Sequence, residues 1–196
     1  MTYNEIRALI RQVEYPSEYY EVLYNLGGAL SQRFPNDHIR MLEIGVYHGA
    51  GMMALSAHLP EGGLYVGVDK ELWGGLTELP TPKLDQRWFV QGLSDSTHVL
   101  EIVRAWGPYH LVFIDGDHTY EQCKRDYENY SPMLIDGGVL IFHDVDATNV
   151  HPGSAQFWQE FVHSEQTKFH CMTYHNVHPH GGNYSLGVAL PRDWVW

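Results

Sequence analysis

Five short, nearly continuous apolar runs, interleaved with helical patterns, constrain this chain more than any other feature of it. They are IRMLEIGV (Ile39–Val46), LYVGVD (Leu64–Asp69), RWFVQG (Arg87–Gly92), HLVFIDGD (His110–Asp117) and GVLIFHDV (Gly138–Val145). A strand with one wet face must alternate apolar and polar residues, whereas a strand covered on both faces need not. Runs of this kind therefore suit a parallel sheet. Helical stretches at Ala50–His58, Ser96–Ala105 and Tyr120–Leu134 fall between them, and a β-α repeat in this order predicts an open, doubly wound, mostly parallel α/β sheet.

The flanks extend this plan. Helical spacing covers Tyr3–Val13 and Ser17–Phe34, with Ser17 as an N-cap after Pro16. The connection Lys70–Gln86 contains Gly74, Gly75, Pro80 and Pro82 and reads as a partly ordered loop. After Val145 come a helix over Ser154–His163 and two alternating runs, Phe169–Tyr174 and Tyr184–Leu190, which predict an antiparallel hairpin at the end of the sheet. No linker or repeat divides the 196 residues. The expectation is a single domain, 1–196, with N-terminal helices in 1–36 and a Rossmann-like core in 37–196.

Charge and cysteine usage narrow the partners. A net charge of −12 with only 12 Lys and Arg disfavours nucleic acid, whose binding needs clustered cations. The N-terminus carries Glu5 and Glu14 within an amphipathic pattern and lacks the basic-then-apolar order of a signal peptide. No apolar run approaches the roughly 20 residues that cross a bilayer. Cys123 and Cys171 have neither metal-site nor disulfide spacing. These features point to a cytoplasmic protein acting on a small molecule, without membrane or nucleic acid, and leave a homodimer open.

The sharpest local motif is LEIGVYHGAG (Leu42–Gly51), where the first strand turns into a helix. A glycine-rich turn there lets backbone approach a nucleotide-like ligand at the carboxyl edge of the sheet. Two ligands compete, a dinucleotide and S-adenosylmethionine. A carboxylate at Glu43, two residues before Gly45, repels a pyrophosphate but attracts the ammonium of a methionine moiety. The pair Gly45 and Gly49 also misses the G-x-G-x-x-G fingerprint. Asp69, ending the second strand, is placed to accept hydrogen bonds from ribose hydroxyls, and Gly92, Leu93 and Ser94 follow the third strand toward the adenine end. Each has a plainer reading, as a tight turn, a loop acid or a helix cap. Their coincidence at three successive strand ends favours a binding site.

Together these residues resemble class I S-adenosylmethionine-dependent methyltransferases, specifically the catechol O-methyltransferase-like and macrocin- or cephalosporin-tailoring groups, over roughly Ile39–Phe161. LEIGVYHG is similar to their first motif, with its acid, paired glycines and Tyr47; VGVD is similar to their ribose acid, and Gly92–Ser94 to their G-x-S. The resemblance implies a cofactor site of Glu43, Gly45, Tyr47, Gly49, Asp69, Gly92, Leu93, Ser94 and Asp115.

A second cluster spans FIDGDHTYEQCKRD (Phe113–Asp126) and IFHDVD (Ile141–Asp146). Both segments end adjacent strands, so Asp115, Asp117, His118, His143 and Asp144 should converge on one edge of the cleft. Carboxylates suit Mg²⁺ or Ca²⁺, and an imidazole shifts the preference toward Mn²⁺, Zn²⁺ or Fe²⁺. In the resembling metal-dependent O-methyltransferases, one acid after the fourth strand and a pair after the fifth hold the ion. By position these are Asp115, His143 and Asp144, with His143 standing where that group has a carboxylate. The base is His118 or Asp117. Catechol-type members have a lysine at the position of His118, and macrocin-type members an acid at that of Asp117. A pKa near 6.5 favours the histidine.

Plainer roles accompany these. Asp117 or Thr119 can cap a helix from Tyr120, with Glu121 in its first turn; Lys124 and Arg125 face solvent, and Cys123 faces the core. His151, with Pro152, Gly153 and Ala155–Phe161, resembles a segment of bacterial methyltransferases of this kind and is an acceptor-contact candidate. His175, His178 and His180 read as solvated loop histidines rather than a second metal site. The expected activity is metal-assisted methylation of a small hydroxylated molecule. The alternatives are a metal-independent methyltransferase, and a nicotinamide-binding oxidoreductase or non-catalytic nucleotide-binding module.

Overall fold

A computed structural model describes residues 1–14, 18–73, 76, 86–146, 151–177 and 183–194. Ser17, Gly74, Gly75, Pro80, Pro82, His178 and His180 lie outside the described residues, so the expectations attached to them do too. Helices α1 (Tyr3–Ile10) and α2 (Tyr19–Arg33) lead into β1 (Arg40–Ile44), α3 (Ala50–Ser56), β2 (Leu64–Asp69), β3 (Arg87–Gln91) and α4 (Thr97–Trp106). There follow β4 (Tyr109–Ile114), α5 (Tyr120–Tyr130), β5 (Leu134–His143), α6 (Pro152–Glu165), β6 (Phe169–Val177) and β7 (Asn183–Pro191). The sheet runs β3-β2-β1-β4-β5-β7-β6, parallel from β3 through β5, with β7 antiparallel to both β5 and β6. This is the doubly wound sheet with a terminal hairpin that the apolar runs predict.

Two cores explain why those runs are continuous. Met41, Tyr65, Leu111, Phe113, Val139 and Ile141 face α1, α2 and α3, while Leu42, Val66, Val112, Ile114, Leu140 and Phe142 face α4, α5 and α6. Strand side chains alternate between faces, so burying both sides requires apolar residues at every position. Packing also outweighs capping. Glu18, at the N-cap of α2, makes no side-chain cap bond, a loss of about 1 kcal/mol. The helix buries Leu23, Leu26 and Leu30 completely, each contributing roughly 1.5–3 kcal/mol. Among the described residues, no helix is long and apolar enough to cross a membrane.

Several boundaries differ from the sequence pattern. Helix α1 stops at Ile10 rather than Val13, because Gln12 and Val13 bond back only three residues. Helix α5 stops at Tyr130, where Pro132 cannot supply an amide; a 3₁₀ turn over Ser131–Met133 follows and Leu134 already opens β5. Strand β4 ends at Ile114 and frees Asp115–Asp117 for the turn beyond it.

Helix α6 is tied to both site loops at its first turn. The Ser154 amide donates to the His118 carbonyl at 3.0 Å, and its hydroxyl donates to the Asp144 carbonyl at 2.8 Å. Gly153 permits this approach, since a β-carbon there would overlap the Tyr120 amide and the His118 carbonyl. Gly153→Ala should therefore lower stability by about 1–3 kcal/mol through overpacking. Urea unfolding checks this, and an unchanged midpoint would show that the two helices separate freely.

Candidate active site

Strand order reverses between β1 and β4, and this switch point is where open α/β sheets leave a crevice. The two strand ends meet closely: the Asp115 amide donates to the Ile44 carbonyl at 2.7 Å. Gly45 holds φ +88°, and a β-carbon there would overlap the Asp115 carbonyl oxygen. The first glycine of the motif is thus required by strand-end packing, whatever else it serves. Beyond it opens a cavity of about 730 Å³ along the carboxyl ends of the parallel strands.

Period two decides what reaches this cavity. Glu43 continues the face of Met41, Asp115 that of Leu111 and Phe113, and His143 that of Val139 and Ile141. With Glu43 paired to Phe113, and Phe113 to Ile141, the three polar residues stand near one another on the α1–α2 side. Asp144 departs from the pattern. Its φ of +54° is uncommon for a residue with a side chain and directs its carboxylate toward His118 and His151 instead.

Gly45, Tyr47, Asp69, Gly92, Leu93 and Ser94 line one wall of the cavity, and Glu43 and Asp115, also expected at the cofactor, line it where that wall meets the next. Gly49 sits one step back as the left-handed N-cap of α3. Asp69 has a structural task that its sequence position does not reveal. Its Oδ2 accepts from the Val46 and Tyr47 amides, each at 2.9 Å, and its Oδ1 accepts from the Glu71 amide at 3.0 Å. A carboxylate has about four acceptor sites, so capacity for a ribose hydroxyl remains, but removing Asp69 would also release the β1–α3 turn. Ser94 is tied inward, donating to Asp126 at 2.7 Å, while Leu93 is exposed.

Burial bears directly on the charge of Glu43. It is buried at the cavity floor and accepts a hydrogen bond from the Tyr65 hydroxyl. Desolvation pushes its carboxyl well above the ordinary carboxylate range. Burial thus works against the negative charge anticipated opposite an ammonium group.

The second wall gathers the acids and histidines. His143 Nδ1 lies 3.0 Å from Asp115 Oδ1 and 3.4 Å from Asp144 Oδ1. Neither approach is aligned as a hydrogen bond, and both ring nitrogens, with Asp144 Oδ1, are buried without a hydrogen-bond partner. Burial alone would lower His143, but the Asp115 and Asp144 carboxylates outweigh it and push the imidazole up to about 10. A positive charge is favoured at this point, whether carried by imidazolium or by a bound cation. His118 lies between Asp115 (3.8 Å) and Asp144 (3.9 Å), and burial still holds it below its ordinary value despite both acids. His151, the N-cap of α6, stacks on His118 at 4.3 Å and approaches Asp144 at 3.4 Å.

Donor atoms group as Asp115, His118 and His143, and as His118, Asp144 and His151. His151 thus belongs to the cluster more fully than its sequence context suggests. Asp117 stands outside both groups. It is exposed, its Oδ1 accepts from the Thr119 amide at 2.8 Å, and that bond holds its carboxyl below the ordinary range. Thr119, not Asp117, caps α5. As expected, Cys123 is buried. Lys124 and Arg125 form partly exposed ion pairs with Glu160 and Asp95, and His175 pairs with Asp146.

The sequence reading missed the remaining wall, made by Glu14, Tyr19, Tyr20 and Tyr184. Tyr19 meets His143 edge-on at 5.0 Å, and Tyr184 lies 6.0 Å from it. The aromatic pair at the start of α2 was the available signal. Asp126 was also missed, although it falls on the buried stripe of α5 with Cys123 and Tyr130, where an acid is out of place.

A methyltransferase-domain family model matches residues 42–145, more than half of the chain. Over 52 residues the chain is 38% identical to the uncharacterized protein y4gI of Sinorhizobium fredii (strain NBRC 101917 / NGR234), covering 26% of this chain and 6% of that protein. Its fold is similar to the MycE methyltransferase of the mycinamycin biosynthetic pathway, solved with Mg, SAH and mycinamycin VI. The TM-score is 0.66 at 17% identity, over 95% of this chain and 53% of that one. It is also similar to the O-methyltransferase TomG from Streptomyces achromogenes, involved in tomaymycin synthesis and solved with SAM. There the TM-score is 0.66 at 18% identity, over 96% of this chain and 88% of that one. The chain spans a small fraction of the y4gI protein and about half the length of MycE.

The raised pKa of Glu43 has a consequence for stability. In the unfolded chain this carboxyl ionises near 4.5, whereas in the folded chain it stays protonated well above that. Above pH ~4.5 the unfolded state therefore binds fewer protons, and stability falls as pH rises until the folded pKa is passed. Glu43→Gln removes the penalty. Its urea midpoint relative to the unsubstituted chain should climb between about pH 4 and pH 7, and a flat difference would show Glu43 ionised in the fold.

Proposed function

Since the match to the methyltransferase-domain model covers more than half of its length, this chain belongs to that family, and from that premise we propose that it transfers a methyl group from S-adenosylmethionine to a hydroxyl oxygen of a small molecule. One observation carries the reading: the glycine turn and Asp69 on one wall face the Asp115, His118, His143 and Asp144 cluster across a single cavity. That arrangement sets a donor and an acceptor side by side, and alignment of this kind supplies much of the acceleration in a displacement reaction. We take 1–196 as one catalytic domain, in which α1 and α2 complete the acceptor wall with Glu14, Tyr19 and Tyr20. Two free cysteines fit a reducing cytoplasm.

The chain's own residues divide the work. S-adenosylmethionine, when bound, supplies an electrophilic methyl group and leaves as the thioether. His118 takes the acceptor hydroxyl proton on a ring nitrogen; burial keeps this imidazole neutral near physiological pH. Asp117 is the weaker candidate, because its lowered pKa and its bond to Thr119 suit a turn acceptor. Asp115 and Asp144 orient His118 from two sides, and His151 supports its ring by stacking.

A divalent cation would be held by Asp115, His118 and His143 or by His118, Asp144 and His151, the two sets whose donor atoms lie together, so the expected set of Asp115, His143 and Asp144 is divided between them. Such an ion would supply Lewis acidity toward the acceptor oxygen, and imidazole in the donor set would favour Mn²⁺, Fe²⁺ or Zn²⁺ alongside Mg²⁺. A metal-independent reading has its own support: an imidazolium at His143, raised to about 10, already places positive charge beside the acids.

Two measurements check these roles. S-adenosylmethionine or S-adenosylhomocysteine should raise the melting temperature and NAD should not, since only a ligand of the native state stabilises it. A shift with NAD alone would overturn the methyltransferase reading. Once phenols, catechols and sugar hydroxyls have been screened for an acceptor, His118→Ala should lower turnover by about 10²- to 10⁴-fold while leaving S-adenosylhomocysteine affinity nearly unchanged. Asp115→Asn should do likewise if the cation is required, and chelation should abolish turnover. Full turnover in chelator would leave His143 as the resident positive charge.

A further inference from the structure

Asp126 occupies a place that stability alone does not favour. It has no exposed surface, it lies on the apolar stripe of α5, and its Oδ2 has no hydrogen-bond partner. A buried, half-satisfied acid costs free energy. Its other oxygen is fully engaged. Oδ1 accepts from Ser94 Oγ at 2.7 Å and from Gln122 Nε2 at 3.0 Å, and the same Nε2 donates to Ser94 Oγ at 3.1 Å. The Tyr130 hydroxyl donates to the Ser94 carbonyl at 2.6 Å and fixes the backbone of this triangle. Ser94 and Gln122 line the cavity, while Asp126 stands behind them.

The triangle has a defined direction. An ionised carboxylate only accepts hydrogen bonds, so the single hydroxyl hydrogen of Ser94 is committed to Asp126. The Gln122 amide must present its nitrogen to the same pair, because its oxygen would meet two acceptors. What remains for the cavity is a lone pair on Ser94 Oγ and the Gln122 carbonyl oxygen, which Arg125 Nη1 approaches at 3.4 Å. Burial, reinforced by Asp95 and Asp117, raises the Asp126 carboxyl to about 6. At about pH 8 it is therefore ionised and the polarity is set.

We propose that Asp126 is a positioning residue that, through Ser94 and Gln122, makes the purine end of the cleft an acceptor of hydrogen bonds, selecting a 6-amino purine over a 6-oxo purine. The inference rests on reading the cleft as the S-adenosyl site, with Ser94 at the base. A 6-amino group donates to the lone pairs left by the triangle. A 6-oxo group brings a third acceptor against them, and a site built for one hydrogen-bond polarity discriminates against the other.

The test is calorimetry at about pH 8 with S-adenosylhomocysteine and S-inosylhomocysteine, on the unsubstituted protein and on Asp126→Leu, Asp126→Asn and Ser94→Ala, each first shown by its melting curve to be folded. The unsubstituted protein should prefer the adenosyl compound by roughly tenfold or more, the equivalent of one lost hydrogen bond. Asp126→Leu frees the Ser94 hydroxyl and the Gln122 amide to donate, and the preference should fall to within about twofold. Asp126→Asn still offers an oxygen to both partners and should retain it. Ser94→Ala frees one amide hydrogen of Gln122 and should reduce the preference, which keeps the question answerable if the leucine variant does not fold. An unchanged ratio in Asp126→Leu or Ser94→Ala overturns the proposal, as does a parallel loss of both affinities or a ratio in Asp126→Asn as low as in Asp126→Leu. Failure of the unsubstituted protein to bind S-adenosylhomocysteine is a different result, and sinks the methyltransferase reading itself.

Discussion

The close approach of β1 and β4 at their carboxyl ends is the contact on which the site depends. The Asp115 amide bonds the Ile44 carbonyl, and Gly45 lies against the Asp115 backbone with no room for a side chain. Because the strand order reverses here, helices leave in opposite directions from the two ends and a crevice remains between them. The Asp69 carboxylate, from the neighbouring strand, then holds the turn beyond Gly45 by two backbone amides. One backbone contact and one carboxylate thus shape the wall of the cavity around the glycine turn.

The opposite wall follows from alternation along the strands. Both faces of the sheet are buried, so any polar residue in the register of Met41, Phe113 or Ile141 faces α1 and α2. Glu43, Asp115 and His143 do so, and the tyrosines of α2 close over them. Asp144 escapes the register by a left-handed backbone, which costs of order 1 kcal/mol or more. That strain places its carboxylate between two histidines from separate loops. Among the described residues, buried polar atoms without a hydrogen bond include the His143 nitrogens and Asp144 Oδ1 in this cluster and Asp126 Oδ2 behind Ser94, together with Arg33 Nε, Gln86 Oε1 and Glu165 Oε2 elsewhere.

The mostly parallel, doubly wound sheet and the glycine turn at its first strand end were legible in the sequence because they rest on short-range patterns. Continuous apolar runs require two covered faces, and a glycine turn at a strand end marks the crevice. The convergence of Asp115, His118, His143 and Asp144 was legible for the same reason, since residues at the ends of adjacent parallel strands must lie together. Element ends were less so. Pro132 stops α5 early, and the last turn of α1 tightens where spacing alone would continue it.

Protonation and partnership were decided only by the tertiary structure. The sequence shows a carboxylate at Glu43; burial beside Tyr65 raises its pKa. It shows Asp117 beside His118; the turn engages Asp117 with the Thr119 amide. It shows His151 more than 30 residues from His118; the packing of α6 on α5 stacks the two rings. Asp126 is one acid among 24 acidic residues in the sequence, and only folding sets it behind Ser94 and Gln122. A side chain's type and strand position are local properties, whereas its charge and hydrogen-bond partners depend on what distant segments bring against it.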